Sequence, residues 1–365
     1  MIYLDYQATT PLAPEAREAM LPWLGGPETD GFANPHSPNR AGRAAAAAIE
    51  LAREAVAALL PPGGRVIFTS GATEAINLAL RGSGARRLAV SAIEHAAVLD
   101  TARAIDPDCA VLPVGPDGLV DPDVAIPAGT GLVAVMQVNN EIGTVQPVAQ
   151  IGARARAAGA LMLCDAVQGA GKLAAPEGCD LIAVSAHKLY GPKGIGALWV
   201  RDGVALAPQM TGGGQEAGLR SGTLSPALIA GFGAAAQLCT RLCTKPGTGD
   251  AAHVERLWTR ARAGFAGWTL NGSADARWRG NLNVRMDGLD VARVLSDCRG
   301  VAISAGSACA SGSGRTSHVL RAIGLCDRDA KTALRIGFGR YTGEEELDRA
   351  IAAIFAAVRA QGLPA

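Results

Sequence analysis

Lysine is scarce in this chain: 365 residues carry only Lys172, Lys188, Lys193, Lys245 and Lys331, so any chemistry that needs a side-chain amine has few candidates. Charged residues are also sparse, at 18% against 49% hydrophobic, which excludes a disordered or tail-like polypeptide. Excess charge is missing too. A net charge of +1 gives no reason to expect nucleic acid or an anionic membrane as a partner. No apolar run approaches the roughly 18 residues of a membrane span. Met1-Ile2-Tyr3-Leu4-Asp5 lacks the basic and apolar regions of a secretory signal. The eight cysteines are scattered through a chain too large to need disulfide staples, and the expected compartment is a reducing cytoplasm. Cys239 and Cys243 share a predicted helix but have no matching His or Cys pair, so no metal site is expected. Internal repeats are absent as well.

What is present is an alternation of helical and strand patterns. Arg43 to Leu60 has apolar residues at helical spacing and stops at Pro61-Pro62-Gly63-Gly64. Short apolar runs at 66–69, 88–90, 132–138, 161–164, 181–184 and 197–200 predict buried strands, with a helix starting near Glu74. Continuous apolar strands separated by helices predict an α/β fold with a largely parallel sheet covered on both faces. The pattern changes at Lys245-Pro246-Gly247-Thr248-Gly249. Beyond it, a helix at 254–264, strands at 281–285 and 301–304, and a last helix at 344–359 predict a smaller α+β unit. At this length two domains are expected: a large one over 13–244, and a small one from 1–12 and 245–365.

The polar sets cluster where these strands end, which is where open α/β sheets bind ligands. The run Ser185-Ala186-His187-Lys188-Leu189-Tyr190-Gly191-Pro192-Lys193-Gly194 delivers a lysine from a buried strand into a Gly-rich loop. Desolvation there would favour the neutral amine, which condenses with an aldehyde; a solvated loop charge is the alternative. Ser70-Gly71-Ala72-Thr73 opens a helix and suits a phosphate, or is an ordinary helix cap. Asp165 follows an apolar strand and wants a cation such as a protonated pyridine nitrogen, unless it caps a helix. His95 follows another strand, where it can stack on a ring or shuttle protons, or be structural. Asn139-Asn140 can orient a carboxylate or phenolic oxygen, or simply form a turn. A lysine, an acid, a histidine and a phosphate cradle together fit pyridoxal 5'-phosphate.

With these residues in view, the sequence resembles the group I cysteine desulfurases of the nitrogen-fixation and iron–sulfur-cluster type, in the class V branch of fold-type I pyridoxal-phosphate enzymes. The resemblance runs nearly end to end. It rests on the motifs Tyr3–Pro11, Phe68–Glu74, Glu94-His95, Asn139–Gly143 and Cys164–Gln168, and on the Lys188 loop. Gly212–Glu216, Arg220–Thr223, Gly306–Cys309 and Leu334-Arg335 complete it. It implies a large domain with a mostly parallel sheet of the seven-stranded type and a small domain carrying a cysteine loop at about 304–317. Lys188 would hold the cofactor and remove the substrate's α-proton. Asp165 would pair with the ring nitrogen, His95 would stack on the ring, and Gln168 would bond its phenolic oxygen. Ala72, Thr73, Ser185 and His187 would line the phosphate site, with Thr223 reaching in from a second subunit. Asn140 and Arg335 would meet the substrate, Arg335 through its α-carboxylate.

Cys309 names the implied reaction. It lies in Ser304–Ser317, a Gly- and Ser-rich stretch whose composition predicts a mobile loop with little to anchor it. By the resemblance, its thiolate takes sulfur from L-cysteine as a persulfide and L-alanine is released. The sulfur would pass to an acceptor protein, an iron–sulfur scaffold or a thiolation factor, and the enzyme would be a homodimer. A selenocysteine lyase on the same scaffold is the nearest alternative, and a non-catalytic sulfur-relay subunit is one of another class. Ala217 stands where relatives usually carry arginine, and Ser225 where asparagine is frequent. The chain ends soon after its last helix, where scaffold-docking relatives carry a longer tail, so the sequence leaves the acceptor open.

Overall fold

The computed structural model describes residues 1–243, 249–306 and 316–364. Its centre is a seven-stranded sheet. From one edge to the other run strands Gly64–Thr69, Gly196–Arg201, Leu181–Ser185, Leu161–Asp165, Leu132–Ala134, Leu88–Ser91 and Ala110–Leu112. Gly196–Arg201 is antiparallel to both neighbours and every other pairing is parallel.

Why these strands lack polar alternation is visible in where their side chains go. Val66, Phe68, Met162, Cys164, Ile182, Val184, Ala197 and Trp199 enter one core. Their sequence neighbours Ile67, Leu163, Leu181, Ala183, Leu198 and Val200 enter another on the opposite face. Both faces are covered, so both sets must be apolar. On the first face lie helices Pro14–Met20, Arg40–Ala57 and Pro226–Cys243; on the second lie Ala72–Gly82 and Ala96–Ile105.

Helix Arg40–Ala57 starts three residues before the periodicity predicts, because the Asn39 side chain accepts the Gly42 N–H at 2.8 Å and caps it. It then buries Ala45, Ile49, Ala52 and Val56 against its neighbours. The approach to Pro226–Cys243 is close enough that a Cβ on Gly233 would lie 2.6 Å from the Ala52 Cβ.

A separate core gathers the C-terminal elements. An antiparallel sheet of Ser304–Ala305, Ala333–Gly337, Asn281–Arg285 and Thr269–Leu270 packs under helices Gly249–Gly264, Val291–Asp297 and Glu344–Arg359. The predicted strand 301–304 is in fact split. Val301–Ala302 pairs in parallel with Ile2–Tyr3, while Ser304–Ala305 joins Ala333–Gly337. Leu4 therefore sits in this C-terminal core, whereas Tyr6 and Ala13 belong to the first core of the large sheet. The apolar run 132–138 also divides: only Leu132–Ala134 is strand, although Gln137 N still reaches Asp165 O at 2.9 Å. Among the described residues no helix is long and apolar enough to cross a membrane.

Candidate active site

Five strand ends open into one cleft of about 590 Å³. Ala72, Thr73, His95, Asn140, Asp165, Gln168, Ser185, His187, Lys188 and Arg335 all line it, along with the unanticipated Gln7, Ala8 and Lys193. Thr223 is exposed and lies outside this lining; Cys309 falls outside the described residues.

Lys188 sits on the single turn Ala186–Lys188 that follows strand Leu181–Ser185. It is half-buried, and its Nζ donates to Gln7 O at 2.6 Å and to Ala8 O at 2.7 Å. The amine that the sequence places at a strand end is thus half-buried, with two backbone carbonyl oxygens as partners. The N-terminal segment is bound to this loop throughout. Thr10 donates its N–H and its hydroxyl to His187 O, at 2.9 and 3.0 Å, and Tyr190 N donates to Thr10 Oγ1 at 2.8 Å.

Asp165 is buried at the end of the central strand and accepts Val167 N at 3.0 Å. Burial raises its pKa, while that bond and the nearby His95 and Lys188 pull the other way. Gln168 donates from Nε2 to Gln7 O at 2.9 Å, and its buried Oε1 has no partner among the described residues. His95 caps helix Ala96–Ile105, with Nδ1 accepting Ala97 N at 3.1 Å. An accepting Nδ1 leaves the proton of the neutral ring on Nε2.

Ala72 and Thr73, also in the lining, form the first turn of helix Ala72–Gly82, whose free N–H groups favour an anion. Gly196 permits this loop's approach, since a Cβ there would lie 2.7 Å from the Gly71 backbone. Ser185 and His187 stand beside it. His187 is pushed down to about 4 by burial and by Lys188, Lys193 and Lys172, and its Nδ1 meets Thr9 Oγ1 at 3.1 Å. Glu74 in the same turn is neutralised by Arg220, at 2.7 Å.

The paired amides separate into two jobs. Asn139 is fully buried; it donates to Ile93 O and accepts Glu141 N and Ile142 N, so it builds the turn. Asn140 faces the cleft. Its carbonyl accepts Arg335 Nη1 at 3.1 Å, and Arg335 Nη2 meets Asp5 at 2.7 Å. The stretch around Cys309 is more anchored at its described ends than composition predicts. Ser304–Ala305 pairs in the small sheet, and buried Ser317 caps a helix while donating to the Glu141 carboxylate.

Local sequence gives Asp5, Gln7, Ala8 and Glu141 no role of their own, although they lie within the motifs Tyr3–Pro11 and Asn139–Gly143. Their partners lie well over a hundred residues away in the chain, and no local spacing signals such pairs.

The aminotransferase class-V family model matches residues 2–350. The chain belongs to that family. Class-V aminotransferases are pyridoxal-phosphate enzymes of the α/β architecture described above. Among curated relatives, the cysteine desulfurase IscS of Rickettsia rickettsii (strain Iowa) is 42% identical, over 96% of this chain and 89% of the relative. The IscS of Rickettsia bellii (strain OSU 85-389) is 41% identical with the same coverage. Among solved structures, a NifS-like protein superposes with a TM-score of 0.87 at 30% identity, covering 98% of this chain and 99% of that one. SspA, solved in complex with cysteine, gives 0.79 at 35% identity over 94% and 100%. The class-V chain is thus similar along nearly its whole length to proteins named cysteine desulfurase.

Proposed function

We propose that this class-V protein is a pyridoxal-phosphate-dependent cysteine desulfurase that converts L-cysteine to L-alanine and loads the sulfur on Cys309 as a persulfide. The observation that carries the reading is the convergence of Lys188, Asp165, His95 and a helix N-terminus flanked by Ser185 and His187 in one cleft. Names of relatives at 41–42% identity, and a similar structure solved with cysteine, support the substrate.

The donor set fits the cofactor. The cleft brings together a primary amine, an anion-favouring helix start, a buried carboxylate and a Gln168 Oε1 that is unpartnered among the described residues. Lys188 would hold the group covalently, Asp165 its ring nitrogen, Gln168 its phenolic oxygen and His95 its face, while Thr73, Ser185, His187 and the Ala72 turn would hold the phosphate. When bound, pyridoxal phosphate supplies an aldehyde that captures the substrate's amine and a ring that acidifies its α-carbon.

The chain's own residues do the rest. Arg335 and Asn140 orient the substrate, Arg335 through its α-carboxylate. Lys188 Nζ takes the α-proton, which requires it to leave the carbonyls of Gln7 and Ala8. Asp165 would hold a proton on the ring nitrogen of the bound group. The Cys309 thiolate forms an S–S bond as the substrate's Cβ–S bond breaks; the electron pair stays with the carbon skeleton, which is reprotonated to alanine. Thr223, exposed and away from its own chain's cleft, serves the second subunit of a homodimer. The persulfide then passes to an acceptor protein such as an iron–sulfur scaffold.

Incubation of the purified protein with L-cysteine and a reductant tests this. Alanine and sulfide form in equal amounts; Cys309→Ala keeps the cofactor's visible absorbance and loses sulfide release. Lys188→Ala loses roughly a hundredfold or more in rate, in the range for removal of a general base. Undiminished sulfide release from Cys309→Ala overturns the assignment.

A further inference from the structure

Arg335 is 1% exposed, so its charge has been taken out of water and must be met inside the protein. Asp5 is the only carboxylate paired with it among the described residues, at 2.7 Å on Nη2. Asn140 O takes Nη1 at 3.1 Å, and Nε is buried without a partner among the described residues. A guanidinium has five N–H donors in a rigid plane. Two anchors on one plane fix its orientation and leave the remaining donors for a ligand in the cleft. Asp5 is itself well placed. Tyr3 Oη donates to the Asp5 carbonyl at 3.1 Å and to Thr9 O at 2.9 Å, and Gly337 N donates to Leu4 O at 2.7 Å.

We infer that Asp5 is the positioning residue of the substrate's carboxylate site: it holds the Arg335 guanidinium in the plane that receives an α-carboxylate, and so sets the affinity for carboxylate-bearing ligands. This rests on the reading of Arg335 as the carboxylate clamp. Asp5 touches neither cofactor nor reacting atoms in that role. It acts through Arg335, from the same N-terminal segment whose Gln7 and Ala8 carbonyls hold Lys188.

Binding of L-alanine, the unreactive product, and of ethylamine, which has the same amine but no carboxylate, is measured calorimetrically on the cofactor-loaded protein. The wild type is compared with Asp5→Ala, Asp5→Glu and Arg335→Lys, each checked by its melting temperature. Asp5→Ala weakens L-alanine roughly tenfold, the scale of one hydrogen bond to a charged group, and leaves ethylamine unchanged. Asp5→Glu keeps the charge but pushes the guanidinium away by one methylene; it too weakens L-alanine selectively, and it decides the matter if Asp5→Ala does not fold. Wild-type L-alanine affinity in the Asp5 variants, with a loss in Arg335→Lys, overturns the inference while the clamp stands. No loss in Arg335→Lys removes the clamp and the inference together. Equal losses for both ligands in the Asp5 variants reduce Asp5 to a structural residue and also overturn it.

Discussion

Glu94 shows how much a single residue's surroundings decide. Its carboxyl is fully buried, accepting Ser91 Oγ and Met136 N, and burial pushes its pKa from 4.5 up to about 8, with those two bonds opposing and Asp165 adding to the rise. An acid with a higher pKa when folded binds more protons in the native state. Its contribution to stability is full below about 4.5 and is lost as pH rises through about 8. Glu94→Gln cannot ionise, so its melting temperature falls less over that interval than the wild type's; parallel curves in a pH series of thermal melts refute the assignment. His95, the next residue, was legible as a candidate because it follows a strand, and it lines the cleft. Glu94 was legible only as part of a motif. Its burial depends on Met136, brought in from another strand end 42 positions away, which no local pattern announces.

At the scale of elements, the apolar runs and turn residues placed most of the large sheet. Their misreadings have a common cause: strand ends and partners are set by neighbours in space. The strand Gly196–Arg201 looks like the others because both its faces are buried, yet it runs antiparallel. Helix packing is another such case. Gly233 lies mid-helix, where alanine would be favoured intrinsically by about 1 kcal/mol. An added Cβ would lie 2.6 Å from the Ala52 Cβ and 2.7 Å from its Cα, so the clash dominates. Gly233→Ala costs about 1–3 kcal/mol net, read as a lower urea midpoint with the slope unchanged. A midpoint raised by the substitution refutes the close approach.

For the whole molecule, the N-terminus joins two of the cores. Leu4 is fully buried in the C-terminal core with Leu282, Leu334, Ile336 and Phe338, while Tyr6 is already in the other. Between and just beyond them hang Asp5, Gln7 and Ala8, the residues that touch Arg335 and Lys188. Leu4→Ala leaves a cavity and costs about 2–5 kcal/mol in chemical denaturation. It also slackens the segment that holds the lysine, so turnover falls in protein that remains folded; unchanged turnover in the folded variant separates core from site.

The sequence alone determined which polar groups stand at the strand ends and the two-sided burial of the sheet, because residue type and local period are properties of neighbours along the chain. Only the tertiary structure decided that Asn139 builds while Asn140 faces the cleft, that Lys188 rests on Gln7 and Ala8, and that Arg335 answers to Asp5. Each of those outcomes is a contact across long stretches of chain, and such contacts are fixed by how two cores close on one N-terminal segment.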